Sequence, residues 1–165
     1  MNMNQFTQKS LAAIQGAQDI ALEHGNQQIE QPHLLLALVG DAEGFIPQLL
    51  TAMGMTVPSF EAAVGAEVDK LPKVTGSGRE SGKVYVSQDV DRALQGAGQE
   101  AQAMRDEYIS VEHILLGLLA HPNTALKELF RTYRLEKEAV MQALAQVRGS
   151  QRVTSDNPEE TYNAL

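Results

Sequence analysis

Apolar and small residues recur three and four positions apart along most of the chain, without sustained alternation, and this periodicity predicts helices rather than strands. Phe6, Ala13, Ile14, Ala17 and Ala21 mark one amphipathic helix, while Val90, Ala93, Leu94, Ala97 and Ala101 mark another. The two sets belong to a duplication. A shift of 80 residues carries His33 onto His113 and holds without a gap from about residue 6 to 68, aligning IEQPHLLLAL with ISVEHILLGL.

Each half reads as four helices. Thr7 and Ser87 share the repeat position just before the first helix, where a hydroxyl accepts from an unpaired first-turn amide. The second helices, 33–39 and 113–119, are apolar all round and so read as buried. Ile46, Leu49, Leu50 and Met53 match Leu126, Leu129, Phe130 and Tyr133 on third helices, and Phe60 and Val64 match Val140 and Leu144 on fourth ones. Glycine inside a helix costs about 1 kcal/mol, so the matched Gly16 and Gly96 are expected at close helix contacts. The reading is all-α, with two pseudo-symmetric four-helix halves: repeat one at 4–71, a Gly-rich linker at 72–85 and repeat two at 86–149. Residues 150–165 are polar and aperiodic and are expected to be extended or mobile.

A length of 165 residues with 43% hydrophobic content fits one core, placed at 1–149. The net charge of −8 repels phosphate backbones and anionic lipid, so neither nucleic acid nor membrane is an expected partner. Cysteine does not occur, which removes disulfides, thiolate nucleophiles and cysteine metal sites and suits a reducing, cytoplasmic setting. The amino terminus has no apolar signal core, and the run 34–39 is too short to span a bilayer, so a soluble protein is expected. The linker sequence GSGRESGKV resembles a phosphate-binding loop, but Ser77 stands where its first glycine belongs and Val84 where a magnesium-binding hydroxyl belongs. None of the four histidines forms a helical zinc pair, and His33 and His113, at one repeat position, read as structural.

The doubled block with PHLLLAL and VEHILLGL, the linker beginning LPKVTGSG and the ending VRGSQRVTSDNPEETYNAL resemble the amino-terminal region of ClpB-type chaperones along the whole chain. The repeat itself is shared with the ClpA and ClpC families. The resemblance implies an eight-helix double Clp repeat that engages unfolded or aggregated polypeptides. The longer protein it implies is a homohexameric AAA+ disaggregase using ATP and magnesium, with a DnaK-type chaperone partner. The fragment itself is then expected to be monomeric, without enzymatic activity or cofactor. An adaptor-docking domain of a ClpC- or ClpA-type protease chaperone is the alternative. The same resemblance assigns substrate handling to Thr7, Asp106 and Glu112, beside their plain readings as helix cap, solvated loop acid and helix-terminus charge. It also implies an apolar groove, for which Val90, Leu94, Tyr108 and Ile109 are the candidates, with core burial as the competing reading. Some relatives carry leucines where this chain has Gly96 and Glu100, which makes the expected groove shallower or more polar.

Overall fold

A computed structural model describes residues 3–74, 84–149 and 153–159. Among them the chain forms eight α-helices: α1 (Gln8–Glu23), α2 (Gln31–Gly40), α3 (Phe45–Ala52), α4 (Val57–Asp69), α5 (Gln88–Ala103), α6 (Val111–Ala120), α7 (Thr124–Thr132) and α8 (Lys137–Arg148). The predicted caps start the first helix of each half, since Thr7 Oγ1 accepts from Ser10 N–H and Ser87 Oγ from Val90 N–H, each at 3.1 Å. The apolar second helices are the buried centre, with Leu34, Leu35, Ile114, Leu115, Leu116 and Leu118 all sealed from solvent. The glycine-rich part of the linker, 75–83, with the loop-like GSGRESGKV up to Lys83, lies outside the described residues.

Two short strands add what the helical periodicity did not show. β1 (Gln28–Ile29) pairs in parallel with β2 (Tyr85–Val86), and Phe6 bridges to Ile109 in the same sense. The register explains the symmetry: Ile29 and Ile109 share one repeat position, and Phe6 and Val86 another. Each half therefore offers the residue before its second helix to the segment before the other half's first helix. Ser87 N–H donates to Ile29 O at 3.1 Å, and Thr7 N–H to Ile109 O at 3.0 Å. The halves are further joined by Gln31, whose buried amide donates to Asp89 O and His121 O and accepts from Asn123 N–H, all within 2.9 Å.

Where the first helix ends, Gly25 has φ +72°, and its repeat partner Arg105 adopts φ +60°. The duplication has thus kept the left-handed turn in the second half without its glycine, a conformation that costs an L residue roughly 1 kcal/mol or more. The turn delivers Asn26 and Asp106 to their histidines. His33 Nδ1 accepts from Glu30 N–H at 2.9 Å while Nε2 lies 2.8 Å from Asn26 Oδ1, which fixes the Nε2–H tautomer. Burial, and secondarily His24, lowers the His33 pKa to about 4. An unfolded chain takes up that proton near 6.5, so between these values the unfolded state binds more protons. His33 therefore contributes stability that is complete above pH 6.5 and lost as the pH falls toward 4, about 3 kcal/mol in all. Urea melts across this range should record that loss. In Asn26→Asp, which copies Asp106, the His33 imidazole carbon shifts should titrate at least about one unit higher.

The polar tail is not wholly extended. Val153, Pro158 and Glu159 are buried, so the expectation of a mobile lead-in is corrected for residues 153–159. The contacts include two backbone bonds, four bonds that involve a side chain and a few buried residues, and such docking leaves no periodic apolar face in the sequence.

Candidate functional site

Thr7, Asp106 and Glu112 come together at the first turns of α1 and α6, and all three are buried. Asp106 is not a solvated loop acid. Its Oδ2 accepts from His113 Nε2 at 2.7 Å, and its Oδ1 accepts from Arg148 Nη2 at 2.7 Å and from Val153 N–H at 2.9 Å. Burial opposes the Asp106 charge, but the hydrogen bonds from His113, Arg148 and Val153 and the guanidinium charge outweigh it, holding the carboxyl well below the usual carboxylate range. His113 Nδ1 accepts from Ser110 N–H at 2.9 Å, so this ring, like His33, presents Nε2–H to its partner. Glu112 stands in the first turn of α6, where its charge favours the helix terminus, but it is buried there. Its carboxylate lies 3.4 Å from Arg148 Nη1 and has no hydrogen-bond partner among the described residues.

Arg148, the last residue of α8, is the member of this cluster that sequence reasoning missed. The signal was present in the repeat register. Asn26, Pro32 and Val68 in the first half share repeat positions with Asp106, Glu112 and Arg148 in the second, so the second half has three ionisable residues where the first has neutral ones.

Residues 153–159 close over the cluster. Val153 enters the core and its carbonyl accepts from Glu107 N–H at 2.7 Å. The Asp156 carbonyl accepts from Gln8 N–H at 2.7 Å, and Glu159 Oε2 accepts from the Thr7 hydroxyl at 2.7 Å and Val111 N–H at 3.2 Å. Burial, opposed by the Thr7 bond but supported by nearby Glu112, pushes the Glu159 carboxyl up.

The apolar candidates are corrected as well. Val90, Leu94 and Ile109 are core residues, and Tyr108 packs half-buried against the same core. An open apolar groove lies in the first repeat instead, about 470 Å³ in volume and walled by Ala12, Gly16, Ile20, Leu36, Ala37 and Phe45. One pair of repeat positions accounts for the difference. Ala37 keeps α2 off α1, and a Cβ on Gly16 would meet Ala37 Cβ at an ordinary 3.5 Å. At the matching crossing Gly117 lets α5 close on α6, since a Cβ there would stand 2.2 Å from Ala93 O. The expected close contact therefore holds for Gly96, which His121 covers, but not for Gly16, which helps to wall the groove.

Among the described residues no cluster of three or more His, Asp or Glu side chains could hold a metal ion. No single helix among them is long and apolar enough to cross a membrane. Fold and site thus define a mostly helical double-repeat domain that carries an open apolar groove. The family model of the Clp repeat N-terminal domain matches residues 5–133, and the chain belongs to that family. It is 40% identical over 165 residues to the chaperone protein ClpB of Bacillus cereus, aligning along all of this chain and 19% of that protein's length. The match falls in the amino-terminal region of such chaperones. The fold is that of the Hsp104 N-terminal domain from Candida albicans, with a TM-score of 0.80 at 23% identity, covering 94% of this chain and 99% of that one. A ClpV N-domain in complex with a VipB peptide has a TM-score of 0.67 at 17% identity, covering 94% and 91% of the two chains.

Proposed function

We propose that this domain holds exposed apolar segments of unfolded or aggregated polypeptides, as the substrate-engaging domain of a ClpB-type disaggregase. The observation that carries the reading is the groove between α1, α2 and α3, walled by small and apolar side chains with Lys9, Asp41, Glu43 and Glu61 at its edges. Such a surface accepts many sequences, because apolar burial is non-directional and the polar edge sets no single register. The ClpV N-domain that holds a peptide on the same fold supports a peptide-binding role. In this reading the longer protein is a homohexamer that threads the held segment with ATP and magnesium and works with a DnaK-type partner.

The test is a titration with unfolded α-casein. Ala12→Glu and Ile20→Lys put charge on two groove residues that are not core, so each should weaken binding by about tenfold or more while leaving the thermal midpoint nearly unchanged. Amide shifts should follow α1, α2 and the start of α3. Binding that neither substitution alters would reject the groove. A domain that ignores casein but captures a folded adaptor would favour the ClpC- or ClpA-type alternative.

A further inference from the structure

After α8 the chain returns over the second repeat as a bound peptide would. Its hold consists of main-chain bonds at Val153 and Asp156, the Gln8 amide on the Asp156 carboxylate, the buried Val153 and Pro158, and the Glu159 carboxylate against Thr7 and Val111. Its main-chain pairing and apolar socket are of a kind that an extended chain of another sequence can reproduce. Glu159 and Val111 also form part of the groove wall, so the segment ends where the groove lies.

We propose that residues 153–159 are a displaceable latch in cis, so that an unfolded polypeptide fills the groove fully only when this segment leaves Thr7 and Val111. The inference rests on the groove reading above. Two further features favour a latch over a permanent strap. Glu159 is buried beside Glu112 with its Oε1 lacking a hydrogen-bond partner among the described residues, which weakens the docked state. The first repeat fastens its returning chain differently: neutral Asn26 donates to Pro72 O at 3.0 Å, and Val74 N–H donates to Gly25 O at 2.8 Å. Its counterpart Asp106 ties Val153 N–H to the Arg148 and His113 cluster instead. Thr7 and Asp106 then act on ligands through the latch they hold, as positioning residues.

The experiment uses the whole chain with Val153→Asp, which places a charge in the valine socket. Amides of Gln8 and Glu107, whose acceptors are Asp156 O and Val153 O, report on the latch. In the variant both should lose protection from hydrogen exchange. If about a tenth of wild-type molecules are open, affinity for unfolded α-casein should rise about tenfold. Saturating casein should expose the same two amides in the wild type. Glu159→Lys, which sets a cation against the first turns of two helices, provides a second opening should Val153→Asp reduce helix content. Open amides with unchanged casein affinity would overturn the latch and leave the groove reading standing. Protected amides in both variants would also overturn it. Loss of casein binding by wild type and variants alike would reject the groove reading, and the latch with it.

Discussion

Asp106→Ala should destabilise the domain by about 3–5 kcal/mol, the range for removing one partner of a buried ion pair. Three donors converge on this carboxylate, from His113, Arg148 and the Val153 amide, and the two side chains, fixed on α6 and α8, cannot turn to water in a buried cluster. Arg148 would keep Glu112 at 3.4 Å but lose its 2.7 Å contact. Asp106→Asn separates the contributions, because the Asn26–His33 pair shows that an amide oxygen satisfies such a histidine. Its cost is then chiefly the loss of the 2.7 Å charge pair with Arg148. Copying the first repeat throughout, with Asp106→Asn, Glu112→Pro and Arg148→Val together, should recover most of the loss, since neutral replacement of a whole buried ion cluster is often close to neutral. Denaturant melts of the three variants decide the matter. A midpoint for Asp106→Ala equivalent to within about 0.5 kcal/mol of wild type would return Asp106 to the class of solvated surface acids.

What the sequence showed and what it hid divide along one line. The duplication, the Thr7 and Ser87 caps, the buried second helices and the structural histidines were legible because each is a local pattern stated twice, 80 residues apart. The features that give the domain its site are departures from that repetition. Arg148 stands where the first half has Val68, and from the sequence it reads only as the place where the apolar pattern ends. Ala37 and Gly117 differ by one methyl group, yet that methyl decides which half carries the groove, and Val90, Leu94 and Ile109, in the closed half, lie in the core. The two-residue strands rest on main-chain hydrogen bonds, and the docked 153–159 segment on main-chain bonds and single polar side chains, neither of which apolar periodicity encodes. Thr7, Asp106 and Glu112 do meet in space, but buried together under Glu159 and Val153, a placement that burial and charge pairing decide and local spacing does not.

The second large effect is expected at that single methyl. Gly117→Ala should cost about 3 kcal/mol, at the upper end of ordinary overpacking, despite alanine's better helix propensity. The added Cβ would lie 2.2 Å from Ala93 O and 2.8 Å from Ala97 N, and these are backbone atoms that cannot swing aside as a side-chain tip would. To admit it, α5 must move off α6, disturbing the contact of Gly96 with His121 and the packing of Ala93 and Ala97. Gly16→Ala is the matched control. Its Cβ meets only Ala37 Cβ at 3.5 Å, so it should be neutral or gain up to about 1 kcal/mol from helix propensity. A larger residue at Gly16 projects into the groove, and its effect should appear in casein binding before it appears in stability. If the two alanine variants melt alike, a difference in helix approach does not separate the repeats. If Gly117→Ala alone is destabilised and also gains casein affinity, opening α5 from α6 has made a second groove where Ala37 already maintains the first.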